Sequence, residues 1–100
     1  MHPEIVLHMH AWFRSNDPAG YAACCQALAG ADLRPHLAEI AAPTLVIAGQ
    51  DDRPTPPALT SQIAAALSHA TYREIPGAHL SVQESPAAFA AAMLEHLAAA

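Results

Sequence analysis

Two short stretches carry groups able to hold and move a proton. The first, Gly49-Gln-Asp-Asp-Arg-Pro-Thr-Pro-Pro57, offers the adjacent carboxylates Asp51 and Asp52; the second, Ile75-Pro-Gly-Ala-His-Leu80, offers the imidazole of His79. Each follows a run that reads as a β-strand. If those strands are neighbours in a parallel sheet, acid and imidazole sit side by side at its C-terminal edge, where open α/β sheets place their ligand-handling residues. There a carboxylate can accept the His79 Nδ1–H, fix the tautomer and stabilise the imidazolium. Nε2 is then free to act as a general base. Spacing alone also admits a plainer reading, a solvated aspartate ahead of a helix and a histidine in a Pro-Gly turn. It leaves both Asp51 and Asp52 open as the acid.

The remaining candidates carry less. Cys24 and Cys25 are adjacent; neighbouring cysteines rarely bridge, and two thiols alone make no zinc site. They read as two small helix residues. His8 and His10, at i and i+2, do not share a helix face, so they do not suit a metal pair. Asp52 and His79 give two candidate ligands with no third at ligand spacing, so no metal is expected. The four basic residues are all arginines, Arg14, Arg34, Arg53 and Arg73, against nine carboxylates, for a net charge of -5. That balance, with no basic cluster, argues against nucleic acid and against anionic membrane surfaces as partners. No apolar segment reaches the ~18 residues of a membrane span. Met1-His-Pro-Glu4 lacks the charged-then-apolar order of a secretory signal, so the expected location is cytoplasmic.

The elements that must position the two loops follow from hydrophobic period. Thr44–Ala48 is an uninterrupted apolar or β-branched run between Pro43 and Gly49, which predicts a strand buried on both faces. Residues 70–75 form a second strand, interrupted by Arg73 and Glu74 and therefore nearer an edge. Between them, residues 57–67 predict a helix with Leu59, Ile63 and Leu67 on one face. After the histidine, Ser85 as N-cap and Pro86 at the first position start a last helix, with Phe89, Met93 and Leu97 as its stripe and Ala90 and Leu94 widening it. Upstream, Ile5, Met9 and Trp12/Phe13 predict a helix over residues 3–14. Asp17 and Pro18 open another that stops at Gly30 as its C-cap. Residues 32–40 read as a turn with a short helical piece, with Leu33, Leu37 and Ile40 pointing one way. The class is therefore α/β: helices, then a parallel strand-helix-strand-helix unit. A buried strand needs neighbours on both sides, so the sheet is incomplete and its uncovered edge points to self-association.

At this point the residues carry a resemblance. Ile40-Ala-Ala-Pro-Thr-Leu-Val-Ile-Ala-Gly-Gln-Asp-Asp-Arg-Pro-Thr-Pro-Pro57 followed by Ile75-Pro-Gly-Ala-His-Leu-Ser-Val-Gln-Glu-Ser-Pro-Ala-Ala-Phe89 resembles the C-terminal portion of α/β-hydrolases. The shared pattern is an apolar strand, G-x-x-D and a Pro-rich stretch, then G-x-H-L followed by E-x-P-x-x-F. The resemblance implies Asp52 as the triad acid, with Asp51 a solvated competitor, and His79 as the triad base. Pro86 and Phe89 match positions that start and pack the final helix. Residues 1–39 would then be the end of a cap with connecting helices, and residues 40–100 the C-terminal part of the core.

Upstream, Asn16-Asp-Pro-Ala-Gly-Tyr-Ala-Ala-Cys-Cys-Gln-Ala-Leu-Ala-Gly-Ala-Asp-Leu-Arg34 is similar to the segment between cap and core in 3-oxoadipate enol-lactonases of aromatic catabolism. Other small-ester hydrolases, carbon–carbon bond hydrolases and cofactor-free haloperoxidase-like enzymes share most of the pattern. The implied partner is a small lactone or ester, with no cofactor. Trp12, Phe13 or Tyr21 would then line an acyl pocket, or else simply pack a core. One departure stands out. The family's serine sits on a G-x-S-x-G elbow upstream of the acid and the histidine. None of Ser15, Ser61, Ser68, Ser81 and Ser85 lies in such a context. The 100 residues carry a base and its orienting acid without that elbow, so the isolated chain is expected to be inactive.

Overall fold

The computed structural model describes residues 2–99. The chain divides into two compact units, one up to Leu33 and one from Arg34 onward.

The first unit is a pair of helices, α1 (Pro3–Arg14) and α2 (Pro18–Gly30). Asp17 caps α2 as its sequence requires: its carboxylate accepts the N–H groups of Ala19 (3.4 Å) and Gly20 (3.1 Å), with Pro18 in the first turn. Phe13 and Tyr21 meet edge to face, with centroids 5.2 Å apart. Gly30 is the last helical residue rather than a left-handed cap, since only Gly77 among the described residues has a positive φ. Cys24 and Cys25 are free and exposed on α2.

The second unit holds the strand-helix-strand-helix order: a 3-10 turn (Arg34–Glu39), β1 (Thr44–Gly49), α3 (Pro57–Ala66), β2 (Ala70–Ile75), a short α4 (Ser81–Glu84) and α5 (Pro86–Ala99). The single helical turn of α4 is an addition to the expected order. β1 and β2 pair in parallel, from Thr44 opposite Ala70 to Gly49 opposite Ile75. Two parallel strands need a crossover, and α3 supplies it. Pro86 opens α5, where its missing N–H costs nothing, and the Phe89 N–H closes the first turn on the Ser85 carbonyl (3.0 Å).

The core is thinner than the apolar stripes suggest. Among the described side chains, Val46, Ala48, Ile75 and Ala92 are the buried hydrophobic ones. β1 is not enclosed on both faces: Val46 and Ala48 are buried, while Leu45 and Ile47 are only half-buried. Tyr72, opposite Val46 in the register, bonds the Pro57 carbonyl at 3.3 Å, which places α3 over that face. Leu45 and Ile47 instead line an open cavity of about 330 Å³ with Phe89, Met93, His96 and Leu97.

The helix stripes are offset as well. In α3 the half-buried positions are Pro57, Thr60, Ser61 and Ala64, with Leu67 just beyond, while Leu59 and Ile63 are exposed. In α5 the inward positions are Ala88, Phe89, Ala92 and His96, while Met93, Leu94 and Leu97 are exposed. Leu33 and Ile40 are exposed too, so of the expected trio only Leu37 is half-buried. The physical reason is spatial: a two-stranded sheet is too narrow to cover a whole helix face, so part of each apolar stripe makes contact and the rest overhangs.

The edge of β1 is equally open. Thr44 N–H donates to His69 O (2.8 Å) and Gln50 N–H to Ile75 O (2.9 Å), so the even-numbered residues of β1 turn their backbone groups toward β2. Those of Leu45 and Ile47 face the other side, where no described strand pairs.

This packing makes a contrast testable by urea denaturation. Ile75→Ala should cost about 2–5 kcal/mol, as expected for truncating a buried aliphatic side chain. Leu59→Ala should stay within about 0.5 kcal/mol, as at an exposed position. Equal losses at both sites would contradict the observed helix orientation.

Candidate active site

The site begins where β1 runs out. Gly49 ends the strand against the loop that follows β2, so closely that a Cβ there would collide with the Ala78 carbonyl oxygen and lie 2.8 Å from that of Gly77. Only glycine allows this approach. The two loops are then stitched by main-chain bonds, Gln50 N–H to Ile75 O (2.9 Å) and Asp51 N–H to Gly77 O (2.9 Å). The Asp52 N–H turns back onto Gly49 O at 3.2 Å and closes the bend. On the other side Gly77, with φ of 115°, takes the left-handed turn that lets Ala78 and His79 follow.

These constraints bring Asp52 and His79 together. His79 Nδ1 lies 3.1 Å from Asp52 Oδ2 and 3.2 Å from Oδ1. Asp51 is exposed and contributes its main chain, not its carboxylate, to the stitching. The Asp52 side chain is 9% exposed and that of His79 56%, so the acid is sheltered behind an accessible imidazole.

Two residues to which the sequence reading assigned no role hold the pair. Thr55 donates its N–H to Asp52 Oδ1 (3.0 Å) and its hydroxyl to Oδ2 (2.8 Å). Glu84 of α4 accepts the Ala78 N–H at 2.8 Å and so pins the residue before His79. A signal for Thr55 was present in the D-x-x-T spacing, since an aspartate readily accepts from the backbone a few residues on. Glu84 is the glutamate of the E-x-P-x-x-F pattern, but the pattern does not reveal its partner, which is a backbone amide in a turn.

Shelter from water pushes the Asp52 carboxyl up, but the Thr55 N–H, the Thr55 hydroxyl and the His79 ring together outweigh it and leave the group below its ordinary value. Asp52 is therefore a carboxylate at neutral pH and an acceptor only, which favours the proton of a neutral His79 ring on Nδ1 and leaves Nε2 basic. That arrangement can take a proton from a nucleophile and hand it to a leaving group. No serine or cysteine is hydrogen-bonded to His79 among the described residues. Ser15 bonds Trp12 O, Ser61 bonds Ala58 O and Ser68 bonds Ala38 O. Among the described residues no group of three or more His, Cys, Asp or Glu side chains is placed to hold a metal, and no helix is long and apolar enough to cross a membrane. In the first unit Phe13 and Tyr21, with Arg14, Asn16 and Pro18, line an open cavity of about 270 Å³; Trp12 is not among its lining residues.

A parallel β-α-β unit with an acid after its first strand and a histidine after its second matches the end of an α/β-hydrolase sheet. The chain is homologous to the C-terminal portion of the α/β-hydrolases. It is 40% identical over 87 residues to 3-oxoadipate enol-lactonase 2 of Acinetobacter baylyi, a match covering 87% of this chain and 33% of that enzyme. The enol-lactonase of Burkholderia xenovorans superimposes with a TM-score of 0.91 at 34% identity, over 96% of this chain and 37% of the other. A hydrolase of Pseudomonas aeruginosa does so with a TM-score of 0.88 at 38% identity, over 96% and 36%. No family model matches the chain. The chain thus spans about a third of the length of these relatives.

Because the folded-state pKa of Asp52 is lowered, the stability it contributes is present above the ordinary carboxylate pKa and is lost as pH falls through the lowered value. Urea midpoints of the wild type and Asp52→Asn should therefore differ most near about pH 7 and converge toward about pH 2. A gap that stays constant with pH would mean that the ionised carboxylate is not what the fold stabilises.

Proposed function

We propose that this chain supplies the general base and its orienting acid to an α/β-hydrolase acting on an enol-lactone, with 3-oxoadipate enol-lactone as the substrate. His79 is the base and Asp52 the acid; the serine nucleophile and the oxyanion donors come from sequence outside these 100 residues. Residues 1–39 form the end of the cap and its connection, and residues 40–100 the end of the core. The serine Oγ attacks the lactone carbonyl while His79 Nε2 takes its proton. The imidazolium, stabilised by Asp52, returns the proton to the departing enol oxygen as the ring opens. Water then adds to the acyl-enzyme with His79 again as base, releasing the free acid and the serine.

The observation that carries this reading is the Asp52–His79 contact across the ends of two paired strands. The similarity to two proteins named as enol-lactonases supports the substrate. The test is a chimera joining the N-terminal part of the Acinetobacter enzyme to this chain. It should hydrolyse 3-oxoadipate enol-lactone, and His79→Ala or Asp52→Asn should each lower kcat by about 10⁴-fold or more. The isolated chain, without nucleophile and oxyanion donors, should give no measurable hydrolysis. A folded chimera whose rate survives His79→Ala would refute the assignment.

A second reading is favoured by the open edge of β1, where the backbone groups of Leu45 and Ile47 find no strand partner among the described residues. On this reading the 100-residue chain is a catalytically inactive product that self-associates through that edge. Sedimentation should then show dimers or larger species that a Pro at position 47 disperses; a monomer at all concentrations would rule it out.

A further inference from the structure

Three contacts around Asp52 close a triangle. Thr55 Oγ1 lies 2.8 Å from Asp52 Oδ2 and 3.3 Å from His79 Nδ1, and that nitrogen lies 3.1 Å from the same Oδ2. The hydroxyl has one proton and two lone pairs. Given to the carboxylate, its shortest contact, the proton leaves a lone pair facing Nδ1. Carboxylate and hydroxyl then present acceptors together to a single Nδ1–H. The opposite arrangement, with the hydroxyl donating to Nδ1, would move the ring proton to Nε2 and remove the base.

The loop turn does not need this hydroxyl, because the Thr55 N–H already binds Oδ1 at 3.0 Å. The hydroxyl is an extra donor on the oxygen nearest the imidazole. Its mount is stiff. Pro54 and Pro56 flank Thr55, so the chain before it has a fixed φ and Thr55 itself is kept out of the helical region. The Thr60 hydroxyl of α3 bonds the Thr55 carbonyl at 3.3 Å and ties it to the following helix. The same four residues, Pro54 to Pro57, look in sequence like a mere helix approach.

We propose that Thr55 is the positioning residue of this site, its hydroxyl locking the Asp52 carboxylate plane against His79 and thereby selecting the tautomer that leaves Nε2 basic. The inference rests on the proposed roles of Asp52 and His79, yet it concerns atoms that can be observed without any substrate. Other charged groups near the pair are Asp51 and Arg53 of the same loop, both exposed, and Glu84 of α4, which is committed to the Ala78 N–H. α3 contributes no ionisable side chain, and Glu74 of β2 accepts the Tyr72 hydroxyl at 2.9 Å. None of them substitutes for Thr55.

The test is a carboxyl ¹³C titration of Asp52 in the 100-residue chain and in Thr55→Val and Thr55→Ser. Valine keeps the shape and the N–H but loses the hydroxyl, so the Asp52 midpoint should move up toward the ordinary carboxylate value. Serine keeps the hydroxyl and should titrate as the wild type does. If Thr55→Val does not fold, Thr55→Ala gives the same comparison. A midpoint unchanged by loss of the hydroxyl, or shifted equally by serine, would overturn the proposal. The readout is separate from hydrolysis: an inactive chimera would sink the enol-lactonase reading and leave this result standing, and the reverse also holds.

Discussion

The site depends on one close approach. β1 ends on a residue without a side chain because the carbonyls of Gly77 and Ala78 occupy the space a Cβ would need. That contact lets two main-chain bonds join the loop after β1 to the loop after β2, and only then can the carboxylate of Asp52 reach the ring of His79. The parallel register, with Gly49 opposite Ile75, sets both strands to end at the same level. A register shifted by one residue would turn Ile75 from the core to solvent and carry the histidine loop away from the acid.

Above this constraint the site is built from short-range bonds rather than from deep burial. Thr55 and Glu84 each pin one side of the pair, Thr55 through the carboxylate and Glu84 through the amide before the histidine. Few side chains of the second unit are buried, and Leu59, Ile63, Leu94 and Leu97 of its helices stay exposed beside a two-stranded sheet. The local geometry of the pair thus survives in a unit whose core is small. The chain spans about a third of the length of its relatives, and among the described residues no strand pairs with the outer edge of β1.

Much of this was legible in sequence. The strand at Thr44–Gly49 was marked by an apolar run between a proline and a glycine, the parallel pairing by the helix-length crossover, and α2 by the Asp17-Pro18 start. Asp52 and His79 were legible as an acid and a base after successive strands, although spacing alone could not separate Asp51 from Asp52. What decides between them is three-dimensional: Asp51 gives its N–H to Gly77, and the next residue points its carboxylate at the ring. The buried helix faces differ from the apolar stripes because hydrophobic period reports which residues are apolar, not how wide a surface is present to receive them. Leu59, Ile63, Met93 and Leu97 kept the period and still found little to cover them. For Thr55 the D-x-x-T spacing signals the main-chain bond to Asp52, whereas the approach of its hydroxyl to His79 exists only once the two loops are folded together.

The central claim is that Asp52 holds His79 in the tautomer a general base requires, and that the 100 residues suffice to do it. The most direct measurement is the long-range ¹H–¹⁵N spectrum of His79 in this chain, with its ring neutral. The account predicts a proton on Nδ1 and a bare Nε2, with that preference lost in Asp52→Asn. A ring protonated on Nε2 in the wild-type chain would contradict it.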